Sequence, residues 1–307
     1  QFDFVTCRHS LQIFDKPDMI LRELFRICKP GGRVYITNEK NSHCLGEPRS
    51  ESIQWTYTEV AKLFADFRMD VELGPKSRRY GPDALLAAAE HSGAVLATVS
   101  NLYGYGRVDR PITADTPLSA EGAKGRVRVQ MWDEALDRHR DGRVRVVEVR
   151  AADFYGPGIT DGGHLGERVV PKLLAGKGVQ VLGNPDVAHS FTYVPDVARA
   201  LVRVGGDERA WGRAWPVPTA PAVTQRQMIQ LLCDAAGVEP VRVSRIPWTA
   251  LRLAGLVMPM MREMFETRHQ LDGPFVLDSS AFTETFGDAP TPLEQGAAAT
   301  VAWWRDR

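Results

Sequence analysis

Two cations four positions apart are the first residues in this 307-residue chain whose spacing could do chemistry. Lys124 and Arg128, in AKGRVRVQM, fall one helical turn apart on the face that continues through Met131, Trp132 and Ala135. At the top of a buried stripe such side chains have two uses. Either they point into a cleft, where they bind a phosphate or carboxylate or where Lys124 acts as an acid with a depressed pKa, or they snorkel to solvent over apolar neighbours. His164 in GGHLGER and His189 in VAHSF pose the same choice, between a pH-dependent substrate partner and a structural hydrogen bond. Metal chemistry is not indicated. His43 and Cys44 are adjacent donors in a polar loop, and Cys7, Cys28, Cys44 and Cys233 show no CxxC spacing, so the cysteines read as reduced thiols.

The whole chain narrows the partners. With 38 basic and 38 acidic residues it advertises neither nucleic acid nor an anionic membrane, which leaves a small-molecule substrate. The apolar stretch from Leu253 to Met261 is broken by Pro259 and is far shorter than the ~20 residues a membrane span needs. No basic region followed by an apolar core opens the sequence, so the expectation is a cytoplasmic protein.

Composition changes near residue 80. Residues 1–80 hold two alanines and five isoleucines, whereas residues 81–307 hold only four isoleucines. Lysine makes up five of the thirteen basic residues before the break and three of the twenty-five after it. The stretch GPKSRRYGPD, with Gly and Pro at both ends, reads as a junction between segments 1–80 and 81–307. In the first, FDFVT and RVYITNE are short buried strands. Between them Ile20, Leu24, Ile27 and Cys28 keep helical spacing up to a KPGG turn, and Thr56 with Glu59 forms a capping box ahead of a second helix. In the second, DALLAAAEHSG is a helix with a Gly stop, AVLATVS a strand, KGRVRVQMWDEALDRHR a helix and RVRVVEVR a strand. Thr224 with Gln227 caps a helix closed by Gly237, and Thr291, Pro292 and Glu294 open a last one. Strands alternating with helices imply parallel strands with right-handed crossovers, hence an α/β fold.

The run FDFVTCRHSLQIF followed by ELFRICKPGGRVYITNE resembles the second half of a class I S-adenosylmethionine-dependent methyltransferase. The resemblance implies that Cys7, Arg8 and His9 lie beside the methyl-donor pocket. It also implies that further strands, helices and the donor-binding glycine turn would precede Phe2, without which the three are ordinary strand-end residues.

VSNLYGYG, VRAADFYGPG, HSFTYVPDVARAL and the closing PTPL to AWW, in that order, resemble the extended short-chain dehydrogenases/reductases of the NAD-dependent epimerase/dehydratase family across residues 82 to 307. The resemblance implies Rossmann-like parallel sheets with a smaller C-terminal α/β lobe, NAD or NADP as cofactor, and a sugar-like substrate. It puts Ser100 beside the nicotinamide, hydrogen-bonded to the substrate oxygen, sets Tyr155, Gly156 and Pro157 against the ring carboxamide, and makes Asp196 the opening of a helix that anchors the substrate lobe.

Three departures from the family pattern stand out. The family's catalytic Tyr and the Lys one turn later fall at Lys124 and Arg128, so the tyrosine is absent, and Tyr103 or Tyr105 would have to supply a substitute phenol. A diphosphate-clamping Arg is matched by His189, which makes a nucleotide sugar a poorer substrate. The GxxGxxG phosphate turn is not in residues 1–81. Both Rossmann units therefore read as incomplete at their N-terminal halves. The reading is an epimerase/dehydratase-like enzyme impaired in dinucleotide binding. Its alternatives are a methyltransferase that uses S-adenosylmethionine through a part upstream, and a noncatalytic fusion or truncated product. Unpaired strand edges in FDFVT or AVLATVS would join a composite sheet or drive homo-oligomerisation.

Overall fold

The structure is a computed structural model that describes residues 2–8, 28–37, 82–160, 163–254 and 265–307. It divides into two compact units, Gln1–Leu96 and Ala97–Arg307.

In the first unit β1 (Phe2–Arg8) pairs in parallel with β2 (Cys28–Thr37), in register from Phe4 opposite Arg33 to Arg8 opposite Thr37. The two expected strands are therefore present and parallel. The Lys-Pro-Gly-Gly stretch differs from expectation: it lies within β2 rather than forming a turn ahead of it. The register breaks between Phe2, opposite Cys28, and Phe4, opposite Arg33. Pro30 has no N–H to give to a ladder, and the two glycines let the extra residues bulge there. Cys28, given to the helix expected between the strands, instead opens β2, because it pairs with Phe2 of β1; the rest of that helix, the Thr56–Glu59 cap, His9 and the His43–Cys44 pair lie outside the described residues. Helix α1 (Pro82–Ser92) ends at Gly93, whose φ of +67° gives the left-handed stop the sequence called for.

β3 (Val95–Asn101) carries the chain into the second unit, where the strand order is β3, β4 (Arg145–Ala151), β9 (Ala214–Pro216), with β4 and β9 parallel. Every residue of β4 from Val146 to Ala151 is buried, as expected of a strand covered on both faces. Helix α2 (Ala123–Arg140) precedes β4 and buries Gly125 and Trp132. Its last turn carries Arg138, His139 and Arg140, cations suited to the carbonyl end of the helix dipole.

Past β4, the short β5 (Asp153–Tyr155) pairs in parallel with β8 (Phe191–Tyr193), which runs into α4 (Val194–Gly205). The remaining elements form the lobe. α3 (Val170–Leu174) leads to β6 (Val179–Val181), which is parallel to β11 (Val243–Arg245). β7 (Ala188–His189) is antiparallel to β10 (Val223–Thr224). Leu173, Met228, Ile229, Leu232, Ala297 and Val301 join α3, α5 (Gln225–Ala236) and α9 (Leu293–Arg305) into one core. α5 has the predicted capping box, with Thr224 Oγ1 accepting from Gln227 N at 3.0 Å and Gln227 Oε1 accepting from Thr224 N at 2.8 Å. Between β11 and α9 lie α6 (Trp248–Ala254), α7 (Arg268–Asp272) and α8 (Ser280–Phe286). Asp196, in the first turn of α4, accepts from Thr291 N at 2.8 Å and Thr291 Oγ1 at 2.7 Å, tying the entry of α9 to α4. No helix among the described residues is long and apolar enough to cross a membrane.

Candidate functional site

Two turns just past the ends of β3 and β4 build the site. After β3 the chain folds into a 3-10 turn, Tyr103–Tyr105, started by Asn101 Oδ1 accepting from Tyr103 N at 3.1 Å. That turn sits directly on the first turn of α2. A Cβ at Gly125 would come within 2.6 Å of the Tyr103 carbonyl oxygen, so only glycine permits the approach. The two tyrosines then part. Tyr105 is fully buried and its hydroxyl accepts from Arg150 Nη1 at 2.9 Å, which makes it part of the core. Tyr103 is half-buried and faces charge. Burial pushes its phenol up, Asp153 adds to the shift, Arg128 opposes it and Glu266 adds again.

Beyond β4, Asp153 opens β5. His189 Nε2 lies 2.7 Å from Asp153 Oδ2, and His164 Nε2 lies 3.6 Å from the same oxygen. The parallel register that sets Asp153 opposite Phe191 brings His189, at the end of β7, to the carboxylate. His189 is 3% exposed and packs between Phe191 and Phe275, with ring centroids at 5.1 and 6.1 Å. Burial works against ionisation of Asp153, but the charge of His164 with the hydrogen bond and charge of His189 outweighs it and holds the carboxyl at about 2. Facing an ionised oxygen, the His189 Nε2 donates. Asp153 itself is 28% exposed, so this fixed charge meets solvent.

A second carboxylate comes from far along the chain. Glu266 Oε1 accepts from Lys124 N at 2.7 Å and so caps α2, whose N-cap residue Gly122 has no side chain to do it. A Cβ at Gly122 would collide with Glu266.

The residues singled out from sequence fall as follows. Ser100 is buried near the end of β3. Lys124 and Arg128 are half-buried on α2, and the Arg128 charge acts on Tyr103 and on Glu148. His164 and His189, distant in sequence, are brought together by Asp153. Tyr155 turns its ring into the lobe core, 5.3 Å from the Tyr193 ring, and burial above all pushes its phenol far up. Its hydroxyl has no hydrogen-bond partner among the described residues. Gly156, at φ +130°, and Pro157 follow directly, and a Cβ on Gly156 would press on the Tyr193 ring at 3.0 Å. Sequence reasoning passed over Asp153 and Glu266. An acid just past a strand in VRAADFYGPG is a usable signal for the first, and Glu266 has none, since its partner lies 142 positions away. Among the described residues no cluster of His, Cys, Asp and Glu could hold a metal ion. Nor do the described residues include a glycine turn handing a strand directly to a helix N-terminus, so by themselves they do not fit a dinucleotide pyrophosphate.

Comparison with known proteins bears out both resemblances. Residues 76–212 match the model of the NAD dependent epimerase/dehydratase family, and residues 1–99 match that of a methyltransferase domain. A dTDP-4-dehydro-6-deoxy-D-allose reductase of a Streptomyces species is 28% identical over 193 residues, 59% of this chain and 50% of that protein. A UDP-glucose 4-epimerase of Mycolicibacterium smegmatis is 24% identical over 202 residues, 65% of this chain and 56% of that protein. The chain thus spans about half the length of these curated relatives. Among solved structures, a dTDP-glucose 4,6-dehydratase of Bacillus anthracis in complex with NAD superposes with a TM-score of 0.58 at 17% identity, covering 74% of this chain and 67% of that one. The structure of RMD from Pseudomonas aeruginosa complexed with NADPH gives 0.62 at 18% identity, over 99% of both chains. The fold is α/β and Rossmann-like, as the motifs implied.

Proposed function

We propose that residues 81–307 form the substrate-handling part of a nicotinamide-dinucleotide-dependent epimerase/dehydratase that acts on a sugar-like molecule in the cytoplasm. The observation that carries this reading is the Asp153 carboxylate held between His189 and His164, just past β4 and in electrostatic range of Tyr103. Open α/β sheets bind ligands outside the carboxyl ends of their strands, and these groups lie there.

In this reading His164 faces the substrate, and the buried His189 acts on it through Asp153. Ser100, at the end of β3, hydrogen-bonds its oxygen, and the backbone of Tyr155, Gly156 and Pro157 lines the place for a nicotinamide. Lys124 and Arg128 stand where proton transfer would be managed. Support for NAD or NADP comes from the structural neighbours whose complexes contain NAD and NADPH. Since the described residues supply no pyrophosphate cradle, the expected affinity of this chain for a dinucleotide is weak. Fluorescence titration with NADH and NADPH tests it. Binding weaker than about 100 μM fits the reading, and low-micromolar binding would mean a phosphate site elsewhere in the chain.

The match of residues 1–99 to a methyltransferase domain favours a second reading for the first unit, a donor-binding segment for S-adenosylmethionine. Calorimetric titration with that compound separates the two.

A further inference from the structure

Two positive features near Tyr103 already meet a carboxylate of the chain itself. The N-terminus of α2, a ready anion site, is taken by Glu266. The two imidazoles that could grip a phosphate share Asp153 Oδ2. Arg128 lends its charge to Glu148. A phosphate approaching these groups would meet two fixed negative charges and would have to displace both.

The carboxylate nevertheless keeps one atom available. Asp153 Oδ2 is engaged by both histidines, whereas Oδ1 has no hydrogen-bond partner among the described residues, and the side chain reaches solvent. A carboxylate fixed in orientation and charge, with one oxygen open, is a strong acceptor for hydroxyl protons and repels anions. His164 beside it supplies an imidazole within reach of the same group.

We propose that the solvent-reaching side of Asp153 is a subsite for an uncharged polyhydroxylated molecule, whose hydroxyls donate to Asp153 Oδ1, and that Asp153 and Glu266 exclude phosphates and diphosphates from it. The proposal rests on the reading that the surroundings of Asp153 take the substrate, and it commits that reading to a class of ligand. It sets the chain apart from relatives named for dTDP- and UDP-linked sugars. The charge of Asp153 is the specificity determinant, because without it the His164 and His189 imidazoles would have no carboxylate to answer them.

The test uses the full chain and two probes, methyl α-glucopyranoside and inorganic pyrophosphate, followed by saturation-transfer NMR and calorimetry. Wild type should show the glycoside signal and little pyrophosphate binding. Asp153→Asn, which keeps the shape and removes the charge, should lose the glycoside signal and bind pyrophosphate about tenfold or more tightly. Glu266→Gln guards against a folding defect at position 153 and should raise pyrophosphate affinity in the same direction. Absence of the glycoside signal in wild type overturns the proposal, as does pyrophosphate binding that neither variant changes. Neither probe contains a nicotinamide, so a failed dinucleotide titration and a failed specificity test are separate results.

Discussion

Glu148, inside β4, is almost wholly buried and paired at contact distance with one guanidinium, whereas Asp153, just past the same strand, reaches solvent and is paired with two imidazoles. Their carboxyls shift in opposite directions. Burial drives Glu148 up against the opposing charge and hydrogen bond of Arg150, 2.7 Å away. At Asp153 the imidazoles overcome burial and hold the carboxyl down. Arg150 remains charged, because the Tyr105 hydroxyl and Glu148 outweigh its own burial, and its guanidinium lies over the Tyr105 and Trp132 rings at 5.2 and 5.4 Å. The difference separates two uses of an acid. A fully enclosed pair organises packing, and a partly exposed, over-partnered carboxylate keeps its charge available to a ligand.

Breaking the enclosed pair should have the largest effect. Arg150→Met strands Glu148 in the core and removes the cation between two rings, and a loss of about 3–5 kcal/mol is expected in urea unfolding. Adding Glu148→Gln should recover part of it. A change below about 1 kcal/mol in the single variant would show that Glu148 escapes burial when its partner goes.

Next in size is the pH response of Asp153. Its folded value of about 2 lies below the ordinary 3.8, so in that interval the unfolded chain holds a proton that the folded chain does not. The stability it contributes, about 2 kcal/mol, is complete above the unfolded value and is lost as pH falls from 3.8 towards 2. Asp153→Asn should therefore be less stable than wild type at neutral pH, and the gap should close across that acid range. A gap that stays constant down to pH 2 would mean that the imidazoles do not hold the charge. Glu148 predicts the reverse slope, since a raised carboxyl stabilises the fold more as pH falls through its folded value.

Thr224→Ala, in the lobe and bonded to neither carboxylate, gives the smallest and simplest change. Loss of the neutral cap should cost about 1 kcal/mol with no dependence on pH. A pH-dependent loss there would show that the acid-range slopes are global rather than local to Asp153.

Much of the frame was legible in the sequence, and the reasons are local. β4 reads as a run of buried residues, α1 and α5 announce their ends through Gly93, Thr224, Gln227 and Gly237, and α2 keeps an apolar stripe to Trp132. The Lys-Pro-Gly-Gly stretch misled because a turn and a bulged strand start use the same residues. In the site, Lys124, Arg128, His164 and His189 were legible as residue types with two possible uses. The arrangement about Asp153 was not, since it joins positions 36 apart, and the Glu266 cap joins positions 142 apart.

By itself the sequence determined which segments form strands and helices and which motifs they carry, because period and capping depend on neighbours within a turn or two of the chain. Tertiary structure alone decided which carboxylate meets which cation, and therefore that His164 and His189 share one acid and that the start of α2 is closed by Glu266. Charge interactions depend on separation in space and on burial, and neither is set until strands distant in sequence lie side by side.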